Sequence, residues 1–590
     1  SEQTRYNVCM KTVTTIRWHE KLSMLSPRPF RPRTSSIQLI TMKHLSVVTF
    51  LAVLFAQGAD NKLAAKADCD SFDIEFNAEI GLHVEKRGTV PTTDTALGSY
   101  NMDVFDNFDN DFLFFVNQKH GQIYSRNGDS TGSATPTLIF DAATSEVPAG
   151  LDLTWDFIGA LAIYKVKAMT QGRHTEEVII VFMSATLPDD WTEADAKLPP
   201  PVVVDGYACR DTDGIVNMGD LYRFDIIPAC APFPFGNQSM VDTYDVFYTF
   251  DFNANVLTNP TPFFVSESRT TPGHNGGGIS TLPGGDILWA TGDCAPYGMD
   301  GSYAPQLDFE ACGKILKLNP SQRGEYRVVA KGVRNSQKMR VFEKAPTTSS
   351  KTEKKHKAGK NPKTTNFLAF MDIGGVTAEE VNAVPLDKLD SGEIPNFGWG
   401  RSLLDGKARE GTFYVNNGRA WVLGGEPSCK ADQPAKGEDG FIQPWVQFGR
   451  TRDDFYFGIS SMAIPPSQSF DMPLIWSEFN TGTLFGTLSE YAEGAEPAQV
   501  FKLKLSDNGG PLTNQLNSLV TTELGLGEND PNRGDPRLFH FPDGEIGVLM
   551  ERTGVFYKLT QQSVVALPGL TPDSDDDCEW FGFLVPRASF

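Results

Sequence analysis

The chain is poor in the residues that build metal clusters. It has 8 cysteines and 8 histidines in 590 residues, with no C-x-x-C pair and no histidines gathered beside the cysteines, which argues against a zinc site. Positive charge is also scarce: 52 Lys and Arg stand against 74 Asp and Glu, for a formal net charge of −22. An acidic surface repels phosphate, so nucleic acid is excluded as the main partner. Beyond residue 60 no apolar run is long enough to make a transmembrane helix. What is abundant is glycine (54), proline (38) and phenylalanine (41), the composition of many tight turns joining short, aromatic-packed strands. An all-β chain is expected.

The one long apolar run lies early. Met42, Lys43 and His44 precede an apolar stretch from Leu45 to Ala56, followed by small residues to Ala59. This is the layout of a secretory signal peptide over residues 42–60, too short to span a bilayer. Residues 1–41, basic and rich in Ser, Thr and Pro, read as a leader ahead of it. The expectation is a secreted, extracellular chain. Seven cysteines follow the signal: Cys69, Cys209, Cys230, Cys294, Cys312, Cys429 and Cys578. In an oxidising compartment some of them pair. Cys209 with Cys230 and Cys294 with Cys312 are the nearest neighbours in sequence, and spacing leaves the connectivity open. Asn237-Gln238-Ser239 is a glycosylation sequon.

Between 70 and 585 several segments share one plan: strand, glycine-containing turn, strand, loop, strand. Residues 279–291, with Pro283-Gly284-Gly285 at the turn, lead to 313–318; residues 538–550, with Pro542-Asp543-Gly544, lead to 554–559. Fragments recur at 121–124 and 482–485. These turns supply the positive φ angles of hairpins, and apolar runs of four to six residues suit strands covered on both faces. A small sheet that cannot bury both faces alone, repeated with its neighbours covering them, makes a propeller. In the first half, 177–182 and 246–252 are strand candidates without a clean repeat phase. A Lys-rich segment at 341–365, containing Lys354-Lys355-His356-Lys357, reads as a solvated insertion; its sharper reading is a basic latch for a polyanion such as an acidic glycan.

Gly273-His274-Asn275-Gly276-Gly277 precedes a strand, and Asp293 follows the next one. In an antiparallel hairpin the residue before the first strand sits beside the residue after the second, so His274 and Asp293 are expected at the same end. An Asp that accepts the proton of one imidazole nitrogen raises the basicity of the other, which then takes a hydroxyl proton. Farther on, Arg334, Asn335 and Gln337 offer a guanidinium fork and two amides to a carboxylated, carbonyl-rich ligand.

In this order, His-Asn-Gly-Gly, hairpin, Thr-Gly-Asp, Gly-Lys-Ile-Leu-Lys-Leu-Asn and Gly-Val-Arg-Asn-Ser-Gln resemble the soluble quinoprotein glucose/sorbosone dehydrogenases, most closely over residues 270–400. The resemblance implies a six-bladed β-propeller with pyrroloquinoline quinone (PQQ) and calcium near its axis. It assigns His274 as the general base on a sugar hydroxyl, Asp293 as its orienting partner, and Arg334, Asn335, Gln337 and Arg537 as cofactor-binding residues. Asp372-Ile373-Gly374-Gly375, followed by Glu380-Val381-Asn382, looks like the calcium loop, with backbone carbonyls of Gly374 and Gly375 on the ion. Residues 395–400, Pro-Asn-Phe-Gly-Trp-Gly, resemble a further family segment.

The sequence also departs from the family. Val333 and Ser336 stand where the family often has His and Pro, Asn480 stands where a Lys is expected, and Arg537 alone remains of an Arg pair. Each lost charge-assisted contact to a cofactor carboxylate is worth about 1.5–3 kcal/mol. Two function classes follow: a sugar or sugar-like alcohol oxidoreductase, and a non-catalytic extracellular propeller of the same family that binds a protein or glycan. A calcium-dependent lactone hydrolase is a third class the fold hosts, with no role in it for Arg334, Asn335 and Gln337.

Overall fold

The structure is a computed structural model that describes most of residues 76–586. Stretches outside the described residues include 1–75, 92–101, 209–241, 271–275, 294–303, 345–364, 375–377, 411–439, 520–533 and 566–582. The expected leader, signal peptide and sequon, His274, Gly375 and Asn480, and most of the Lys-rich insertion therefore lie outside them.

The regular secondary structure of the described residues is almost wholly strand, with helix limited to short pieces such as Leu386–Leu389. Four free-standing four-stranded sheets are present. The first comprises Met102–Asp106, Phe112–Asn117, Gln122–Asn127 and Thr137–Asp141. The second comprises Ala160–Thr170, Arg173–Ser184, Asp242–Asn253 and Val256–Arg269. The third comprises Gly276–Thr281, Ile287–Thr291, Lys314–Leu318 and Tyr326–Lys331. The fourth comprises Met339–Lys344, Thr365–Asp372, Ala378–Pro385 and Val446–Gly449. The remaining large sheet has ten strands. The expectation of six separate blades is thus met by four separate sheets and one larger one. The physical reason is a parallel pairing of Phe76–Thr89 with Phe501–Asp507, in which Gly81 faces Lys504 and Leu82 faces Leu505.

The leading strands of these units neighbour one another in a closed cycle, a propeller-like arrangement. Met102–Asp106 adjoins Ala160–Thr170, which adjoins Gly276–Thr281, which adjoins Met339–Lys344. Its partner strand Thr365–Asp372 adjoins Ile459–Ala463, which adjoins Pro536–His540, which returns to Met102–Asp106.

Hairpins form where the turn residues require them. Gly285, at φ +91°, closes the Thr281-to-Ile287 turn, with Leu282 N–H donating to Asp286 O at 2.8 Å. Gly544, at φ +85°, does the same between Phe541 and Glu545. Strands such as Phe112–Asn117 and Ile287–Thr291 are buried along nearly their whole length because sheets cover both faces. The abundant phenylalanines fill the gaps between sheets: Phe247 meets Trp289 edge-on at 4.8 Å, and Phe115 meets Phe556 at 5.3 Å. No helix among the described residues is long and apolar enough to cross a membrane.

The Lys-rich stretch enters later than its composition suggests. Val341 to Lys344 continue the strand Met339–Lys344, whose apolar Val341 is buried at 2% exposure. Lys344 pairs with Thr365, so residues 345–364 connect two strands at the end remote from the Arg334 turn.

The ends of the chain close the ten-stranded sheet. Phe76–Thr89 pairs antiparallel with Val555–Val565, and its Leu82 is fully buried in the core there. Leu82→Ala is expected to cost about 2–5 kcal/mol, read as a fall in the denaturant midpoint at unchanged slope. A loss within about 0.5 kcal/mol, the size of a surface substitution, would show that this strand does not close the core.

Candidate functional site

The hairpin expected around His274 and Asp293 forms. Gly276–Thr281 pairs antiparallel with Ile287–Thr291, and Gly276 is the register partner of Thr291. Gly276 has φ +67°, and a Cβ there would lie 2.4 Å from Ala290 O, so only glycine permits this approach. The described strand thus begins two residues after His274, which itself lies outside the described residues, and Gly276 stands beside the strand end that leads to Asp293. Asp293 itself is 0% exposed.

The turn after Tyr326–Lys331 brings the next expected residues to the same place. Asp293 N–H donates to Arg334 O at 2.8 Å, and Gly276 N–H donates to Asn335 Oδ1 at 2.9 Å. Asp372, at the end of the strand Thr365–Asp372, holds the turn. Its carboxylate accepts from Arg334 N–H at 2.9 and 3.0 Å and from Asn335 N–H at 2.8 Å. Burial pushes the Asp372 carboxyl up to about 7; the two backbone donors and the Arg334 charge oppose that shift, and Asp293 adds to it. The Arg334 guanidinium donates to Ile373 O at 2.9 Å and lies over the Trp399 ring at 5.0 Å. Trp399 Nε1–H donates to Asp293 Oδ2 at 2.9 Å.

Trp399 reaches this position on a strap that runs parallel beside the end of Tyr326–Lys331, the outer strand of the third sheet. Lys331 N–H donates to Pro395 O, Phe397 N–H to Lys331 O and Trp399 N–H to Gly332 O, each at 2.9 Å. Gly332, at φ +73°, allows the strap in: a Cβ would sit 2.3 Å from Asn396 Oδ1.

Gln337 and Arg537 meet beside this cluster. Arg537 Nη1 donates to Gln337 Oε1 at 3.1 Å and to Ser460 O at 3.0 Å. Its Nη2 faces Glu551 at 3.3 Å and Asp535 at 3.5 Å. Burial works against the Arg537 charge, but Asp535, Asp103 and Glu551 outweigh it and hold the guanidinium above its ordinary range. Glu551 is held well above the ordinary carboxylate range, by burial first and Asp535 next, with Arg537 opposing. Lys338 Nζ donates to Val104 O at 2.8 Å and lies 5.6 Å from the Phe105 ring centroid, tying the fourth sheet to the first.

Asp293, Arg334 and Asn335 are thus brought into one buried, hydrogen-bonded cluster, with Gln337 and Arg537 joined next to it. At the expected calcium loop, Gly374 N–H donates to Glu379 Oε2 at 3.1 Å, and Glu379 also accepts from Ile459 N–H. No group of three or more His, Cys, Asp or Glu side chains suited to a metal occurs among the described residues. Asp372, Trp399, Lys338 and Glu551 were not singled out as site residues by sequence. Asp372 and Trp399 lay in segments noted for other reasons, and Lys338 and Glu551 have no local signal.

The Asp372 shift has a definite sign. A carboxyl raised in the folded chain contributes stability that is full below its ordinary value of 3.8 and is lost as pH rises through about 7. The stability of the wild type relative to Asp372→Asn is expected to fall between those two values, by up to about 1.4 kcal/mol per pH unit. Urea midpoints of both proteins across this range check it; a difference that is flat or grows with pH would contradict the assignment.

No family model matches the chain, and no curated protein matches it. Among solved structures it is similar to two described as glucose dehydrogenase, both at 14% identity and TM-score 0.40. One match covers 80% of this chain and 99% of that one, the other 81% and 100%. It is also similar to a Trichoderma reesei carbohydrate-active enzyme of family AA12, at 9% identity and TM-score 0.39, covering 83% of this chain and 99% of that one. At this level the likeness identifies neither a shared activity nor a shared site.

Proposed function

We propose that the chain is a secreted six-bladed propeller of the glucose/sorbosone dehydrogenase type that oxidises a sugar or sugar-like alcohol. One observation carries the reading. Asp293, Arg334 and Asn335, three described members of the motif series from 274 to 337, converge with Asp372 and Trp399 in one buried cluster, with Gln337 beside it. Six blades follow if the ten-stranded sheet is divided at its parallel pairing. One half is then Ile459–Ala463, Leu474–Glu478, Leu484–Thr487 and Phe501–Asp507. The other is Pro536–His540, Ile546–Met550, Val555–Val565 and Phe76–Thr89. Each half is a four-stranded antiparallel sheet, the second completed by the early strand Phe76–Thr89, and the cycle of leading strands supports the count. Cys312 is disulfide-bonded, which supports passage through an oxidising compartment.

The residues present fit a planar anionic cofactor at two points. Arg334 offers a guanidinium braced by an aromatic face, and Arg537 carries a buried Nε–H that finds no partner among the described residues. Arg334 and Arg537 would hold carboxylates of PQQ, with Asn335 and Gln337 beside them and calcium at the carbonyls of Gly374 and Gly375. Bound there, the quinone would supply the acceptor for the substrate's hydride. The protein's own part is proton transfer: His274 takes the sugar hydroxyl proton while Asp293 fixes the imidazole tautomer. Burial of Asp293 and Arg334 keeps water from competing for them.

A second reading, a non-catalytic propeller that binds a protein or glycan, is favoured by one feature. The Arg537 charge is already met by Asp535 and Glu551, which lowers its worth to a ligand carboxylate.

Titration of the mature chain with PQQ and calcium, followed by calorimetry and sugar-dependent dye reduction, separates the two. Arg334→Ala is expected to weaken cofactor binding by about ten- to a hundredfold. His274→Ala is expected to bind the cofactor normally and to lose about 10²–10⁴ in turnover. Absence of cofactor binding to the wild type at high micromolar concentration would overturn the oxidoreductase reading in favour of the second.

A further inference from the structure

Trp399 does two separate things with one side chain. Its indole N–H meets a carboxylate that is 0% exposed, and its ring face meets the guanidinium of Arg334, itself 8% exposed. Asp293 and Arg334 belong to different connections of the chain, and Trp399 arrives from a third. The residue is itself held on both sides through its backbone: the Trp399 main-chain N–H donates to Gly332 O at 2.9 Å, and its main-chain carbonyl accepts from Gln306 Nε2 at 2.6 Å. A side chain needed only to fill space between these groups has no reason to be a tryptophan. Phenylalanine fills most of the volume without a buried N–H that must find an acceptor, and a hydrogen bond to a buried charged acceptor is among the stronger kinds.

We propose that Trp399 is a positioning residue of the candidate site, fixing the Asp293 carboxylate through its N–H and the Arg334 guanidinium through its ring, so that one indole sets the spacing between them. The proposal rests on the oxidoreductase reading for its functional meaning, because there Asp293 orients the base and Arg334 holds the cofactor. The two contacts are separable chemically. Trp399→Phe removes the N–H and keeps a ring; Trp399→Leu removes both.

The test uses the full mature chain and two readouts. In nitrogen–proton correlation spectra, the indole signal that vanishes in Trp399→Phe is expected to lie at the downfield edge of the tryptophan side-chain signals, as a donor to a carboxylate does. It is expected to move upfield in Asp293→Asn. With PQQ and calcium as probe, Trp399→Phe should keep cofactor affinity within about threefold, since a cation–π contact survives, and lose turnover at saturating sugar. Trp399→Leu should also lose about tenfold in cofactor affinity. An indole signal indifferent to Asp293→Asn overturns the proposal. So does a Trp399→Leu protein that is folded and binds the cofactor like the wild type. If the wild type binds no PQQ, the oxidoreductase reading falls by itself, and the spectra still decide whether Trp399 fixes Asp293.

Discussion

The candidate site depends on a carboxylate that accepts backbone hydrogen bonds. Where Tyr326–Lys331 ends, the chain turns without strand partners, and buried amide groups there must be satisfied. Asp372, from the neighbouring sheet, takes the N–H groups of Arg334 and Asn335 at 2.8 to 3.0 Å. The turn so fixed offers Arg334 O to Asp293, Asn335 Oδ1 to Gly276 and Ser336 O to Gly278. Two strand ends, those of Gly276–Thr281 and Ile287–Thr291, are therefore registered through the turn to one side chain, and the ionisation of that side chain is linked to the placement of the groups around it.

Legibility from sequence followed the range of the interaction. The hairpin from Gly276 to Thr291 was readable because its determinants, the turn glycines and the flanking apolar runs, are local. The convergence of Asp293 with Arg334 was expected from the order of motifs. The pairing of Trp399 with Asp293 was not, because 106 residues separate donor from acceptor and no local pattern links the two segments. Arg537 meeting Gln337 across 200 residues was accessible only as an assignment by resemblance. In the first half the repeat phase was hidden by long strands such as Arg173–Ser184, Asp242–Asn253 and Val256–Arg269, which run well past the five or six residues of the later ones. The number of separate sheets was not readable at all: it turns on a parallel pairing between strands from opposite ends of the chain.

Electrostatics around the leading strands is more balanced than the net charge implies. Arg334 and Arg537 lie among Asp293, Asp372, Asp535 and Glu551, and burial pushes Asp372 and Glu551 toward their neutral forms. A chain with a formal charge of −22 thus keeps a central region whose cations are not swamped. For the proposed anionic cofactor, Arg537, with two carboxylates at hand, would be the weaker host, and Arg334, stacked on an aromatic ring, the stronger.

The pairing of Phe76–Thr89 with Val555–Val565 joins residues roughly 480 positions apart, Leu82 opposite Gln561 among them. A ribosome delivers the first of these strands long before the second exists. Through almost the whole of synthesis this early segment is an open edge with exposed backbone donors and acceptors, and edges of that kind recruit other chains. Closure waits for the late strand and carries the entropy cost of bringing together segments roughly 480 residues apart. A nascent chain stalled before residue 555 would leave the ring unsealed, so quality control during biogenesis has a single late step to monitor.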